Sequence, residues 1–179
     1  MKSSSFFIFH RVNILNILRF QNHFMIDKNK VTELAEEWLD GKEYFLVDVA
    51  VDKENRIVVE IDHKDGVWIE DCCELSKHIE AGLDRDVEDF ELEVGSAGIS
   101  QPFKVTQQYI NAIGNDVELL TAEGKKLTGT LKEADDEGFT VVTKEKQKLE
   151  GKKRPVIADV EHRFAYNDTK WVKTVLDFK

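Results

Sequence analysis

Cysteine is almost absent from this chain: Cys72 and Cys73 are its two, and they are adjacent. Neighbouring thiols supply neither the spaced ligands of a structural zinc site nor a disulfide framework. They read as thiols in a reducing compartment, at least one of them packing a helix. No uncharged apolar run reaches the roughly 18 residues that a membrane-spanning helix needs, so no span is expected. Positive charge is also short, with 25 Lys and Arg against 35 Asp and Glu for a net charge of −10. Generic nucleic-acid binding depends on a basic excess that displaces phosphate counterions, so the balance favours a basic protein partner instead. Nucleophile sets are missing as well: His63, His78 and His162 stand apart, and no Ser/His/Asp or Cys/His spacing signals catalysis. The residues give no reason to expect an enzyme, a cofactor or a metal.

What is present is a folded composition, 41% hydrophobic and 34% charged over 179 residues, enough for one medium domain or two small ones. Residues 1–24 differ from the rest, carrying Lys2, Arg11 and Arg19 and no acid. His10, Arg11 and Asn13 interrupt the apolar stretch that a signal peptide would need, and no small-residue cleavage site follows. A transit peptide fits the composition only for a eukaryotic source. The preferred expectation is a start set too far upstream, with Met25 opening the domain. Removing three basic residues leaves 22 against 35 acidic ones, a charge of −13.

Residues 27–40 place Val31, Leu34, Ala35, Trp38 and Leu39 at helical spacing, with Asp27 to cap and Gly41 to stop. Residues 44–52 then alternate, with Phe45, Val47, Val49 and Val51 on one face, and Ile57, Val59 and Ile61 alternate again after the turn 53–55. This predicts an antiparallel hairpin. A second helix fits 71–83 on the stripe Cys72, Leu75, Ser76, Ile79 and Leu83, and Phe90, Leu92 and Val94 form a third strand. The order helix, strand, strand, helix, strand predicts a two-layer α/β unit with both helices on one face.

After a connection carrying Ser96, Gly98, Pro102 and a short helical stretch with Phe103 and Tyr109, the period switches to two. Strands are expected at 116–121, 126–133, 139–144, 156–164 and 171–178, a density that suggests a small SH3/Sm-like β-barrel. The fold class is therefore α+β. Its predicted parts are an extension at 1–24, an N-terminal α/β domain at 25–98, a connection at 99–106 and the barrel at 107–179.

Three segments invite a chemical reading. Gly95-Ser96-Ala97-Gly98 matches the GxxG of KH domains, but it follows a strand and lacks trailing basic residues, so a tight turn is the simpler reading. The acids Asp84, Asp86, Glu88 and Asp89 could hold a cation or form a solvated acidic surface. Residues 144–154 set Lys144, Lys146, Lys148, Lys152, Lys153 and Arg154 against Glu145 and Glu150. Such a run can touch RNA even on an acidic protein, because screening confines distant repulsion to roughly 8 Å. It fits a solvated hairpin equally well.

The run 68–102, WIEDCCELSKHIEAGLDRDVEDFELEVGSAGISQP, resembles the RimP family of ribosome maturation factors. The shared marks are Asp71-Cys72, Ser76, Leu83-Asp84, the strand Phe90 to Val94, and the turn Ser96, Gly98, Ile99 and Pro102. The likeness continues through Tyr109, Gly114, Val117 and Gly129-Thr130-Leu131. Where that family often has Ser-Ser-Pro-Gly-Leu and then Arg-Pro-Leu, this chain has Gly95 to Ile99 and then Gln101-Pro102-Phe103. The resemblance implies a non-enzymatic, monomeric bacterial factor of the cytoplasm that binds the immature small (30S) ribosomal subunit. Its implied contacts are the basic small-subunit protein of the decoding centre and, secondarily, rRNA. An Sm/KH-type module acting directly on RNA is the alternative.

Deleting residues 1–24 is expected to leave the melting temperature within a degree or two, since the segment has no periodic continuity with the helix after Asp27. Differential scanning calorimetry of the two forms measures this, and a large drop would contradict it.

Overall fold

The computed structural model describes residues 25–147 and 156–175. The expectation for residues 1–24 lies outside them. The element order is α1 (Lys28–Leu39), β1 (Phe45–Val51), β2 (Arg56–Asp62), α2 (Ile69–Gly82), β3 (Glu91–Ser96), α3 (Thr106–Asn111), β4 (Asp116–Thr121), β5 (Lys126–Ala134), β6 (Gly138–Gln147), β7 (Val156–Ala165) and β8 (Thr169–Thr174). A 3-10 turn, Tyr166–Asp168, joins β7 to β8.

The first sheet runs β1-β2-β3, with β1 and β2 antiparallel and β2 and β3 parallel. The parallel pair requires a crossover, and α2 is that crossover. Helices α1 and α2 cover one face, as the periodicity predicts: Val31, Leu34, Ala35, Leu39, Leu75 and Ile79 form one core with Val49, Ile57, Val59 and Ile61. The helices approach closely enough that a Cβ at Gly82 would collide with the Leu34 side chain. Asp27 caps α1 by accepting from Asn29 N, as anticipated, whereas α2 begins two residues earlier than its apolar stripe suggests. The β1 alternation is corrected by a bulge between Leu46 and Asp48, so Leu46, not Phe45, packs against the core.

Asn55 pins this layer. It sits at φ +56°, fully buried, in the β1–β2 turn. Its amide oxygen accepts from Ile26 N at 2.9 Å, and its amide nitrogen donates to Glu88 at 2.9 Å and to the Asp89 carbonyl at 3.3 Å. Asparagine tolerates the left-handed conformation and brings a two-sided amide to it, which ties the segment leading into α1, the hairpin and the approach to β3 together.

The second sheet has the order β7-β6-β5-β4-β8, antiparallel throughout. Its core combines Val117, Leu119, Leu131, Phe139, Val141 and Val172 with Tyr109 and Ala112 from the α3 region. Tyr109 anchors an aromatic cluster, its ring centroid lying 4.9 Å from Phe103 and 5.0 Å from both Phe139 and Tyr166. Strand β6 extends three residues beyond the predicted 144, because cross-strand pairing with β7 carries it past the apolar alternation. The last strand is observed from 169 to 174, so the prediction of 171–178 starts late, and residues 176–179 lie outside the described residues.

The two cores predict separable unfolding. Ile79→Ala and Leu131→Ala each empty a fully buried site and should each cost about 2–5 kcal/mol. Native-state hydrogen exchange should show each loss confined to its own sheet. A uniform loss over both would mean a single cooperative unit.

Candidate functional site

The connection between the cores is a built joint. Lys104 reaches onto the helix-free face of the first sheet, where its ammonium donates to Asp48 at 2.8 Å and to Glu60 at 2.6 Å. Those carboxylates are presented side by side because Asp48 and Glu60 are cross-strand partners. The Gln108 side chain, buried, accepts from Lys104 N at 2.8 Å and donates to Asp62 at 3.2 Å. On the far side, Phe103 N donates to the Val172 carbonyl at 2.8 Å, which fastens the connection to β8. Lys104 holds the Asp48 carboxyl below its usual range, and the two carboxylates push the Lys104 ammonium above its own.

The joint creates a trough. Because β2 and β3 are parallel and end in register at Ile61 and Ser96, the loop after β2 and the turn after β3 leave the sheet at the same end. One cleft there is lined by His63, Lys64, Ser96, Ile99, Asn111 and Thr174, and it continues past His63, Lys64 and Asn111 to Glu43 and Tyr44. The Tyr44 ring packs 4.7 Å from His63. Its hydroxyl donates to Asp71 at 2.5 Å, and that bond, with burial and the Asp71 charge, pushes Tyr44 up to about 12.

Of the turn residues singled out in the sequence, Ser96 and Gly98 line this trough. Gly98 adopts φ +75°, as a tight turn requires, while Gly95 and Ser96 remain in β3, so the segment is no KH-type loop between two helices. Pro102 lines neither part of the trough. Gly114, at φ +88°, donates to the Leu131 carbonyl and borders a separate cleft on the second sheet together with Lys144. The acids at 84–89 build a loop: Asp84 accepts from Asp86 N, Glu88 accepts from Asn55, and Asp89 accepts from Phe90 N and from Arg85.

Lys144 and Lys146 are exposed on one face of β6. Their cross-strand partners are Asp159 and Ile157, and nearby Lys132 pairs with Glu161 at 2.7 Å, so this part of the face alternates in sign. Lys148, Lys152, Lys153 and Arg154 lie outside the described residues. His162, on β7, shares its Nε2 between Thr143 at 3.0 Å and Glu145 at 3.2 Å. Cys72 is partly buried with its thiol pushed up by burial, and Cys73 is exposed. Among the described residues, no helix is long and apolar enough to cross a membrane.

Two cores, a charged joint and a mixed surface cleft describe an α+β protein. Comparison narrows the class. Residues 34–100 match the RimP N-terminal domain. A ribosome maturation factor RimP of Porphyromonas gingivalis is 42% identical over 130 residues, covering 73% of this chain and 86% of that protein. The one from Flavobacterium psychrophilum is 38% identical over 118 residues, 65% of this chain and 76% of its own length. The one from Christiangramia forsetii is 33% identical over 152 residues, 84% of this chain and 99% of its own length. The chain belongs to the ribosome maturation factor RimP family.

Lys104→Ala should release the joint without unfolding either core, because exposed ion pairs contribute only about 0–1 kcal/mol. The Asp48 carboxyl should titrate closer to its usual range, observable by carboxyl-carbon NMR. The sign follows from a depressed acid: the pair's contribution is full above the unfolded carboxyl value and is lost as pH falls through the folded one. Backbone relaxation should give the two cores different tumbling times in the variant and one shared time in the parent; equal times in both would contradict the joint's role.

Proposed function

We propose that this chain is a non-enzymatic assembly factor for the small ribosomal subunit, which docks on the immature 30S particle through a basic ribosomal protein of the decoding centre and touches rRNA with its basic hairpin. The observation that carries this reading is membership of the RimP family over nearly the full length of a relative. The charge supports it: a net −10 attracts a basic protein and raises its association rate. In this reading the five-stranded sheet with α3 is a SH3/Sm-like barrel spanning 107–179, the α/β domain spans 25–98, and 99–106 connects them. The factor acts as a cytoplasmic monomer. Lys144 and Lys146, which project from β6, favour an RNA contact at the hairpin. A pure Sm/KH-type RNA module is less well supported, since Asp159 and Glu161 interrupt the basic face among the described residues.

Sedimentation tests the whole: the tagged chain should comigrate with free small subunits and not with translating ribosomes. Neutralising Lys152, Lys153 and Arg154 to Ala should weaken binding to immature subunits and flatten its salt dependence by up to about 0.9 units of log-log slope per lost phosphate contact. Unchanged affinity and slope would leave the hairpin a solvated arm.

A further inference from the structure

His63 opens the loop after β2 and lines both parts of the cleft beside the joint, its side chain only 13% exposed. The turn it begins is closed by Gly66 N, which donates to the His63 carbonyl at 3.0 Å. A second bond ties the same turn through the side chain: Asp65 N donates to His63 Nδ1 at 3.0 Å. An imidazole nitrogen accepts only through a bare lone pair, so Nδ1 carries no hydrogen here and Nε2 carries it. Nε2 lies 3.5 Å from the Glu43 carboxylate, and the Tyr44 and His63 ring centroids are 4.7 Å apart.

Imidazole is the side chain that ordinarily exchanges a proton between about pH 5 and 8. A second proton can enter this ring only at Nδ1, the nitrogen that faces the Asp65 N–H. Two donors would then meet, and the bond would be lost. The ring is also held by Glu43 and by Tyr44, so the Asp65 peptide is the part that yields. The charged groups around the ring are Asp62, Lys64 and Asp65 on its own loop, Glu43 ahead of β1, and Asp71 of α2 behind the Tyr44 hydroxyl. Tyr44 itself, pushed up to about 12, stays neutral throughout this range. The cleft residues from α3 and β8 are Gln107, Gln108, Asn111 and Thr174, all uncharged. The acids outnumber Lys64, so the added charge is accommodated and the cost of protonation falls on the Asp65 bond.

The turn and α3 share one carboxylate. His63 N donates to Asp62 Oδ1 at 2.8 Å, and Gln108 Nε2 donates to Asp62 Oδ2 at 3.2 Å. We infer that His63 is a proton-operated latch beside the joint: a proton taken from solvent at Nδ1 expels the Asp65 N–H, opens the 63–66 turn and, through Asp62, shifts Gln108 in the first turn of α3. The device belongs to the fold itself and does not rest on the proposed function.

The test uses the full chain labelled with nitrogen-15. At about pH 8, long-range proton–nitrogen correlation should show His63 as the Nε2–H tautomer. On lowering the pH to about 5.5, the Asp65 and Gly66 amides and the Gln108 side-chain amide should all shift with the midpoint of His63 itself. Solvent exchange at Asp65 N, corrected for the intrinsic effect of pH, should rise about five-fold, the factor that one ordinary hydrogen bond contributes. His63→Asn keeps an acceptor on Cγ, where Nδ1 stood, but cannot titrate; its Asp65 amide should stay bonded and still over the same range. An Nδ1–H tautomer at the start overturns the latch, and so do Asp65 and Gly66 amides that stay still while His63 titrates. The same pH response in His63→Asn overturns it too. If Asp65 moves and Gln108 does not, the link to the joint is overturned.

Discussion

The contact between Lys104 and the carboxylate pair Asp48 and Glu60 is the constraint on which the arrangement of the molecule depends. Each core closes on its own apolar residues, but nothing in either core dictates where the other should sit. That is decided on the solvent side of the first sheet, where two acids presented by neighbouring strands meet one ammonium. Gln108 adds direction. By accepting from the backbone at the head of α3 and donating to Asp62, it aligns the short helix with the end of β2. The interaction is electrostatic and partly exposed, so it orients more than it stabilises. The trough exists because of this joint, since its walls come from the first sheet, the turn after it, α3 and β8.

The layers themselves are legible from periodicity. Helices α1 and α2, the β1–β2 hairpin and most of the C-terminal strands follow apolar spacing, because burial on one face is a local pattern. What escapes the pattern is what depends on partners distant in sequence. The bulge that promotes Leu46 over Phe45 is a property of the β1–β2 register, and the extension of β6 past Lys144 is carried by β7. Asn55 reads as an ordinary turn residue; its role as a three-way pin appears only when Ile26, Glu88 and Asp89 are brought around it.

The same distinction governs the candidate site. Of the family marks, Ser96 and Gly98 line the trough while Pro102 and Gly114 do not, and the positive φ of Gly98 is a turn signal that is local in the sequence. Trp68 and Ile69 precede the helix that the spacing predicts from residue 71, and their exposure is visible only in the structure. The joint is hidden more thoroughly. Asp48 and Glu60 lie on the strand face that alternation assigns to water, and the lysine that meets them is 44 residues beyond the nearer one.

Strand β8 belongs at the edge of the second sheet beside β4, although Thr121 and its partner Thr169 are 48 positions apart in the sequence, with β5, β6 and β7 between them.

 Bringing those ends together closes a long loop, and the entropy of closure is paid only after the hairpins between them exist. Among the described residues, the β4–β8 pairing is the longest-range one in the second sheet. Strand β8 also supplies the Val172 carbonyl that fastens the connection and the Thr174 wall of the trough. A chain that stalls before this step, or leaves synthesis without its final strand, would carry a formed first layer and an exposed Trp68 but no completed groove.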